Sequence, residues 1–519
     1  MSQELIAALQ NHRLYDHDVD QFTVLETHIS WVILTGKYAY KIKKPMNFGF
    51  LDFTTLEKRK FFCEQEVRLN QRLAPEVYLG VIPITGSLAA PQPDGSGEPI
   101  EYAVKMLQFD QSGLFDKLLE KEGITLAHIT TLADTIASFH KGIVSVAADS
   151  VLGSAASVFE PMQQNFDQVR PMLETDADRQ QLDNLEAWTQ ATFQRLTPLL
   201  EKRKADGKVK ECHGDIHLGN ITLVNDKVTL FDCIEFNEEF RCIDTISDLA
   251  FLVMDLEDRG LNAYANRLLN RYMEQSGDFE SLSLLNFYKA YRAVVRAKIA
   301  LFMRCGDGLD ESTKADLYQR YQSYANLAES YSYLPHRFLL IGHGVSGSGK
   351  TTVGNALVDD LGVIQIRSDV ERKRIFDLGL LESSKSEMDG GIYTADASEK
   401  TYARLEHLAQ DILKAGYAVF IDATNLKKQQ RDLFSDVAES EGVASILVSC
   451  VADLETVRGW IKARSNDASE ATIAVMEKQL ASQDPLTAEE LVHAITLRTD
   501  NPEEVKLVIA TIRQRLGLQ

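Results

Sequence analysis

The sequence predicts two fold classes in succession, an α+β region followed by an α/β region with a parallel sheet. Strand-forming segments surround one strong helix in residues 1–110, and helical periodicity dominates residues 111–333. Beyond residue 336, apolar strands alternate with helices, which is the pattern of a parallel sheet covered by helices. At 519 residues the chain exceeds the roughly 250–300 residues at which a single hydrophobic core stops growing. We therefore expect about three structural units.

The composition is that of a globular protein, with 45% hydrophobic and 25% charged residues. The formal net charge of -21 argues against a nucleic-acid or anionic-membrane partner, since phosphate groups attract basic surfaces. The first residues, MSQELIAALQNHRLYDHD, lack the basic and apolar regions of a secretory signal. The six cysteines are scattered without a C-x-x-C pair, which is typical of reduced thiols. We expect a cytoplasmic protein with no membrane partner.

Residues 1–110 predict a small sheet with one helix packed on it. The helix, near residues 54–73, opens with a capping box formed by Thr54 and Glu57 and stops before Pro75. A Pro/Gly-rich segment, PQPDGSGEP, is expected to form an exposed hairpin tip between the last two strands. The predicted strand segments are WVILTGKYAYKIKK, YLGVIPITGSLAA and IEYAVKMLQF.

The segment HGDIHLGN, residues 213–220, raises the question of a metal site at His213 and His217. Two histidines four apart share a helix face and can bind zinc. Here Gly214 and Gly219 each disfavour a helix interior by roughly 1 kcal/mol. The segment is therefore predicted to be a loop, in which the four-residue spacing carries no metal signature.

The same loop offers a different chemistry. Asp215 is followed five residues later by Asn220, and a strand hairpin later by Asp232. Protein kinases use this order of residue types, in which one carboxylate receives the proton of the attacking hydroxyl while the Asn and the second Asp hold Mg²⁺ against the ATP phosphates. The alternative is that these are three turn-forming residues.

Such a site also needs a strand lysine held by a helix glutamate. YAYKIKK offers Lys41, and the helix offers Glu64 and Glu66. Glu66 lies four residues after Phe62, on the apolar stripe, so a core-facing carboxylate in need of a cation is expected there. Lys43 and Lys44 are expected to be solvated.

With these motifs, residues 1–330 resemble the aminoglycoside phosphotransferase and choline-kinase-like group, small-molecule kinases with a two-lobed protein-kinase-like architecture. The resemblance implies an N-lobe over residues 1–110 and a helical C-lobe over 111–333. It also implies Asp215 as catalytic base, Asn220 and Asp232 as Mg²⁺ ligands, Lys41 and Glu66 at the ATP phosphates, and Asp248 as a brace for the catalytic loop. The hairpin WVILTGKYAYK departs from the kinase pattern, because it has one glycine and no G-x-G-x-x-G.

Two further arginines, Arg292 and Arg296, lie four residues apart on a predicted helix. They fit a grip on an anionic substrate, but we favour a solvated or salt-bridged helix face for them.

The segment GVSGSGKT, residues 344–351, fits G-x-x-x-x-G-K-[ST] between an apolar strand and a helix, which is the context of a P-loop. Backbone N–H groups at the helix start bind phosphate, Lys350 reaches the β- and γ-phosphates, and Thr351 supplies a hydroxyl to Mg²⁺. The predicted nucleotide-binding residues are Gly344, Ser346, Gly347, Ser348, Gly349, Lys350, Thr351 and Thr352.

The segments around the P-loop favour phosphoryl transfer over hydrolysis. Asp422, at the end of strand AVFID, is expected near Mg²⁺, and it is followed by Ala-Thr-Asn rather than by a water-activating Glu. In IRSDVERKR, Ser368 and Glu371 are expected to form a capping box, with Asp369 as the base for the acceptor hydroxyl. Arg372 is a candidate for substrate binding. The positive charges of Arg372, Lys373 and Arg374 are expected in the first turn of a helix, where the helix dipole disfavours them unless an anion is bound.

Residues 336–519 resemble the P-loop kinase group that includes gluconate kinase and the 5′-hydroxyl kinase part of polynucleotide kinase. The similarity rests on the P-loop, SDxxR, DATN and an R-x₅-R lid. It implies Arg458 and Arg464 as lid arginines that stabilise the transferring phosphoryl group, and Asn425 as a substrate candidate. The alternative for the arginines is a solvated helix face.

The whole chain resembles bacterial two-domain proteins that join these two kinase types, an α+β protein-kinase-like domain followed by an α/β P-loop NTPase domain with a parallel sheet. We predict two sites for ATP and Mg²⁺, each phosphorylating a hydroxyl of a small molecule. Two alternatives stay open: one domain is a nucleotide-sensing regulatory module, or the P-loop domain is a nucleic-acid 5′-hydroxyl kinase.

Overall fold

The computed structural model describes residues 2–49, 51–121, 123–306, 308–333, 336–386, 390–464 and 467–518. The chain packs as two units, one of Met1–Asp255 with Tyr291–Ala325 and one of Leu256–Ala290 with Asn326–Gln519. The sequence-based boundary between residues 333 and 336, with Pro335, lies outside the described residues. Of the helices that the structure describes, none combines the length and the apolar character needed to cross a membrane.

The first unit opens with an antiparallel sheet in the order β1-β2-β3-β6-β4-β5. The three predicted strand segments lie in this sheet. The segment PQPDGSGEP begins with an additional short strand, β5, so it is not simply a hairpin tip. The strands are β1 Thr23–Glu26, β2 Ser30–Leu34, β3 Tyr38–Lys43, β4 Tyr78–Ser87, β5 Ala90–Pro93 and β6 Glu101–Leu107.

Two helices accompany the sheet, α1 Ser2–Ala8 and α2 Leu56–Asn70, and α2 packs against β4 and β6. The predicted capping box at Thr54 is wrong by one residue. Thr55 is the N-cap and accepts a hydrogen bond from the Lys58 amide, whereas the Thr54 hydroxyl donates to Asp52. Thr54 is engaged by the preceding turn, so its neighbour takes the cap.

The alternation of β3 positions the first site. Tyr40 and Ile42 face an apolar cluster that includes Trp31. Because side chains alternate along a strand, Lys41 and Lys43 share the opposite face, toward α2.

The helical part of the chain follows, interrupted by two short antiparallel pairs, β7 with β10 and β8 with β9. The hairpin β8–β9 is the predicted strand, Asn-Asp turn and strand. The strands are β7 Val209–Glu211, β8 Ile221–Val224, β9 Lys227–Leu230 and β10 Cys242–Asp244. The helices are α3 Phe115–Glu120, α4 Leu126–Gly142, α5 Ala155–Val169, α6 Asp176–Ala205, α7 Glu238–Arg241, α8 Thr245–Asp258, α9 Asn262–Ser276, α10 Leu282–Arg304 and α11 Glu311–Ser330.

The second unit contains a five-stranded, all-parallel sheet in the order β12-β13-β11-β14-β15. This confirms the α/β prediction and adds β15, which the sequence reading missed. The strands are β11 Phe338–His343, β12 Ile364–Arg367, β13 Val419–Asp422, β14 Ala444–Val451 and β15 Ala494–Arg498. The helices are α12 Lys350–Leu361, α13 Ser368–Ile375, α14 Ala395–Lys414, α15 Lys428–Ser440, α16 Leu454–Ala463, α17 Ile473–Ser482, α18 Ala488–His493 and α19 Pro502–Leu516.

Candidate active sites

A buried ion-pair network lies where β3 meets α2. The Lys41 ammonium is 2.8 Å from Glu66 and 2.6 Å from Asp232. Lys43 is 2.7 Å from the other Glu66 oxygen and also binds Glu235. The expectation that Lys43 is solvated is wrong, since only 1% of it is exposed. The two-residue period of the strand places Lys43 on the same face as Lys41.

Lys41, Lys43 and Glu66 hold one another in their ionised forms. Burial raises the pKa of Glu66, but the two lysine ammonium groups outweigh burial and lower it below its usual range. Burial lowers the pKa of Lys41, but the carboxylates of Asp232 and Glu66 outweigh burial and raise it. The site therefore keeps a fixed cation beside Asp232.

Asp215 sits in the loop that follows β7. The Asn220 amide donates to the Asp215 backbone oxygen at 3.0 Å and to its carboxylate at 3.2 Å. His217 Nε2 lies 3.5 Å from the same carboxylate. Burial raises the pKa of Asp215, but His217, and after it His213 and Arg292, outweigh burial and hold it well below its usual range. The carboxylate is therefore ionised at neutral pH.

The backbone connects this loop to the ion-pair network. The Phe231 amide donates to the Asn220 carbonyl at 3.1 Å, which places Asp232 one residue further along. Asp232 adopts a left-handed backbone conformation, with φ of 65°. Asn220 and Asp232 each offer a side-chain oxygen, the ligand type that Mg²⁺ prefers. Their chemistry fits the predicted metal role.

Asp248 braces the loop that carries Asp215. Its carboxylate accepts hydrogen bonds from the backbone amides of His213 at 3.0 Å and Gly214 at 2.8 Å, and lies 3.1 Å from His140. Gly214 has φ of +89°, and an added Cβ would lie 2.7 Å from the Phe240 carbonyl oxygen, so only glycine fits there. Sequence reasoning proposed Asp248 but missed His140.

Three groups of metal-ligand type, from His140, Cys212 and Asp248, lie within 4.8 Å of one another. Both Asp248 oxygens already accept backbone N–H groups, so we assign this cluster to the brace. His213 and His217 have separate partners: His213 Nε2 lies 3.0 Å from the Phe231 carbonyl, whereas His217 faces Asp215.

The second site is built on the P-loop between β11 and α12. Lys350 donates to the backbone oxygens of Gly344 and Val345, each at 2.8 Å. Burial lowers the pKa of Lys350. A Cβ on Gly344 would lie 2.5 Å from the Cys450 carbonyl oxygen, which explains the glycine. The loop thus approaches β14 too closely for any side chain at this position.

The hydroxyl of Thr351 and the side-chain amide of Gln365 both donate to one Asp422 oxygen at 2.8 Å. Asp422 ends β13, at the carboxyl edge of the parallel sheet where ligands of such folds bind. The oxygens of Thr351 and Asp422 fit the predicted Mg²⁺ role. Gln365 was not anticipated from the sequence.

A cavity of about 850 Å³ opens at this edge. Six of the residues predicted for the P-loop nucleotide site line this cavity: Ser346, Gly347, Gly349, Lys350, Thr351 and Thr352. Gly344 and Ser348 do not line it. Asp369, Arg372, Asp422 and Arg464 line the same cavity.

Two predicted residues are placed elsewhere. Asn425 is fully buried and its amide donates to the Gly342 carbonyl at 2.6 Å, so it supports the β11 backbone rather than facing a substrate. Arg458 pairs with Glu455 at 2.6 Å and Glu477 at 2.9 Å outside the cavity lining. Arg464 reaches the cavity because it follows the last turn of α16.

The acceptor side of the cavity carries polar atoms without partners. The Arg372 guanidinium lies 5.3 Å from the Tyr393 ring, and its Nε is buried without a hydrogen-bond partner among the described residues. Among the described residues, one terminal nitrogen of Arg464 is also buried and unpaired. These groups suit a polar, anionic ligand.

The predicted charge conflict in α13 is wrong. This helix spans only Ser368–Ile375, so Arg372, Lys373 and Arg374 lie in its last turn, where the helix dipole favours cations. The predicted capping box is also absent from this described helix, since Arg367 is the N-cap and its side chain makes no cap bond.

Arg367, which the sequence reading left out, is held at the cavity by two carboxylates. It is 3.1 Å from Glu274 of α9 and 2.7 Å from Asp467. Asp422 lies 3.8 Å away. Because α9 comes from a distant part of the chain, local pattern could not reveal this contact.

Comparison with known proteins gives two family matches. Residues 111–285 match the model described as "Phosphotransferase enzyme family", and residues 339–486 match the model described as "AAA domain". The first match runs past Asp255, where the first compact unit is interrupted, so the two divisions differ. The predicted domain boundary near residue 333 therefore stays a prediction.

Uncharacterized proteins of Mycobacterium tuberculosis and Mycobacterium bovis are 29% identical over 463 residues, 89% of this chain and 90% of theirs. Amicoumacin kinase, solved with AMP-PNP, gives a TM-score of 0.40 at 11% identity and covers 63% of this chain and 96% of its own. A choline/ethanolamine kinase family protein from Mesorhizobium loti gives 0.37 at 10%, covering 61% and 94%. A gluconokinase from Sinorhizobium meliloti gives 0.25 at 20%, covering 36% and 98%.

Proposed function

This chain joins a phosphotransferase-family domain to a P-loop domain of the AAA type, and from that premise we propose an ATP- and Mg²⁺-dependent kinase with two nucleotide sites. Each site would transfer the γ-phosphoryl group to a hydroxyl of a small molecule. One observation carries the proposal: in each unit a carboxylate suited to accept a proton shares a site with a buried lysine. Asp215 is connected to Lys41 through Asn220 and Asp232, and Asp369 lines the same cavity as Lys350.

At the first site, Asn220 and Asp232 would hold Mg²⁺, which neutralises phosphate charge when bound. Lys41 would turn from Asp232 toward the phosphates, and Glu66 would hold its stem in place. As the acceptor oxygen bonds to the γ-phosphorus, the bond from that phosphorus to the bridging oxygen breaks and ADP leaves. The hydroxyl proton passes to Asp215 and then to solvent.

At the second site, Lys350 would exchange its two backbone acceptors for phosphate oxygens, while Thr351 and Asp422 would hold Mg²⁺. Asp369 would take the acceptor proton, and Arg464 would stabilise charge on the transferring group. The unpaired Nε of Arg372 favours an acceptor with an anionic or strongly polar group. The five buried cysteines, all present as free thiols, support action in a reducing compartment such as the cytoplasm.

The test is mass spectrometry of a metabolite extract incubated with heavy-oxygen γ-labelled ATP and the full chain. Asp215→Ala should abolish one set of labelled products and Lys350→Ala another. Asp316→Ala, on the exposed face of α11, serves as the control and should change neither set.

Other outcomes point to the alternatives. If Asp215→Ala leaves every product in place but alters ATP affinity, the first unit is a nucleotide sensor. Labelling of a 5′-hydroxyl oligonucleotide at low salt would make the P-loop unit a nucleic-acid kinase. No labelled product from the intact chain would refute the proposal.

A further inference from the structure

Arg292 of α10 lies close to the first site and is not solvated. Arg292 is only 6% exposed, and its Nε is buried without a hydrogen-bond partner among the described residues. Its guanidinium lies 5.0 Å from the Phe251 ring and 5.3 Å from the Tyr291 ring. The prediction that Arg292 lies on a solvated or salt-bridged helix face is therefore wrong.

Contacts connect Arg292 to the catalytic carboxylate. The Phe251 ring lies 5.8 Å from the His217 ring, and His217 Nε2 lies 3.5 Å from Asp215. This arginine is thus close enough to act on a molecule that meets Asp215.

Arg296 follows one helical turn later, on the same face of α10. Its Nε donates to the Tyr324 hydroxyl at 3.4 Å, and its guanidinium lies 5.8 Å from that ring. Within the described part of the chain, neither Arg292 nor Arg296 has a carboxylate at ion-pair distance. Arg292 is buried with an unpaired Nε, and the half-buried Arg296 adds a second positive charge on the same face. Such an arrangement is expensive unless an anion joins the two guanidinium groups.

We propose that Arg292 and Arg296 form an anion subsite, so that the first site phosphorylates an alcohol that carries a carboxylate or a phosphate ester. The inference rests on the proposed kinase function. The planar guanidinium, held between aromatic rings, is preorganised for bidentate binding of either anion. A polycationic alcohol would instead meet two like charges near Asp215.

The test measures anion binding directly, in the full chain carrying Lys350→Ala and saturated with Mg²⁺ and AMP-PNP. Equilibrium dialysis with radiolabelled inorganic phosphate and with acetate separates the two anion types, and glycerol is the neutral probe. Arg292→Met and Arg296→Met should each weaken binding of the preferred anion about tenfold. The matched control is Lys298→Met, which removes a charge from the same helix where Lys298 binds Asn165 at 2.6 Å.

The subsite would be overturned if the arginine variants still melt cooperatively and bind both phosphate and acetate as tightly as the protein without these substitutions. If Arg292→Met does not fold, Arg292→Lys replaces it, and Arg296→Met remains the second variant. Arg292→Lys keeps the positive charge but loses the planar guanidinium. Loss of anion binding without any labelled phosphoryl product would support the subsite and refute the kinase. Labelled phosphoryl product together with unchanged anion affinity in the arginine variants would support the kinase and refute the subsite.

Discussion

At the scale of single residues, Glu66 shows how one carboxylate serves two cations. Its two oxygens bind Lys41 and Lys43 separately, and Glu235 binds Lys43 from the loop that carries Asp232. In the proposed reaction Lys41 would turn to a phosphate while Lys43 still holds Glu66. We therefore expect the second lysine to keep the glutamate in position.

Replacing Lys43 should destabilise the first unit. Lys43→Met leaves Glu66 and Glu235 buried with one cation fewer, and breaking such a buried pair typically lowers the free energy of unfolding by about 3 kcal/mol. Urea unfolding followed by fluorescence measures the change. The control is Lys60→Met, which removes an exposed pair with Glu64 at 3.9 Å and should change stability by less than about 0.5 kcal/mol. Equal effects of the two substitutions would contradict the network.

His343 predicts a pH dependence for the second unit. Burial, together with the charges of Arg431 and Lys350, lowers its pKa from 6.5 to about 4. As the pH falls, the unfolded chain takes up this proton first, so the stabilisation is complete above pH 6.5 and is lost toward pH 4. The expected loss between pH 8 and pH 5 is about 2 kcal/mol.

The measurement for His343 is urea unfolding across that pH range, compared with His343→Gln. The variant should show a shallower fall in stability on acidification. Parallel curves for the two proteins would mean that His343 is not the group responsible.

At the scale of elements, α9 belongs with the parallel sheet. Asn270 accepts the Gln365 backbone amide at 2.8 Å, Arg267 pairs with Asp359, and Glu274 pairs with Arg367. These residues recur at three- and four-residue intervals, which places them on one helix face. The helix thus supports β12 and α12, two of the elements that form the P-loop site.

Loosening this support should affect nucleotide binding. In Glu274→Gln, Arg367 keeps only Asp467 as a full counter-charge and can turn toward Asp422, 3.8 Å away, where it competes with Mg²⁺. In an Asp232→Ala background, which removes the first nucleotide site, calorimetry should show several-fold weaker binding of Mg²⁺ and AMP-PNP at the P-loop site. Glu503→Gln, which removes an exposed pair with Lys506, is the control. Unchanged affinity would show that Glu274 only packs.

At the scale of the whole molecule, the proposal requires two nucleotide sites in one chain. Calorimetry should detect two equivalents of AMP-PNP per chain in the presence of Mg²⁺. Asp232→Ala should remove one, because the first site loses a metal ligand, and Lys350→Ala should remove the other. Asp316→Ala should keep both. One equivalent in the intact chain, or loss of both with one substitution, would contradict two separate sites.

The sequence by itself determined the order of the two fold types, the loop at residues 213–220, the P-loop and the parallel sheet. These features depend on neighbouring residues, because phosphate chemistry requires set spacings and strands and helices have set periods. The pairing of Lys41 with Glu66 could also be predicted, because Glu66 lies on the apolar stripe of its helix four residues after Phe62.

Only the tertiary structure decided the rest. Lys43 and Glu235 are 192 residues apart, and Glu274 and Arg367 are 93 apart, so neither pair leaves a local pattern. The same holds for the burial of Arg292 between aromatic rings and for the exclusion of Asn425 and Arg458 from the cavity. Chain folding brings such groups together or separates them, and the spacing of residues in one segment carries no record of it.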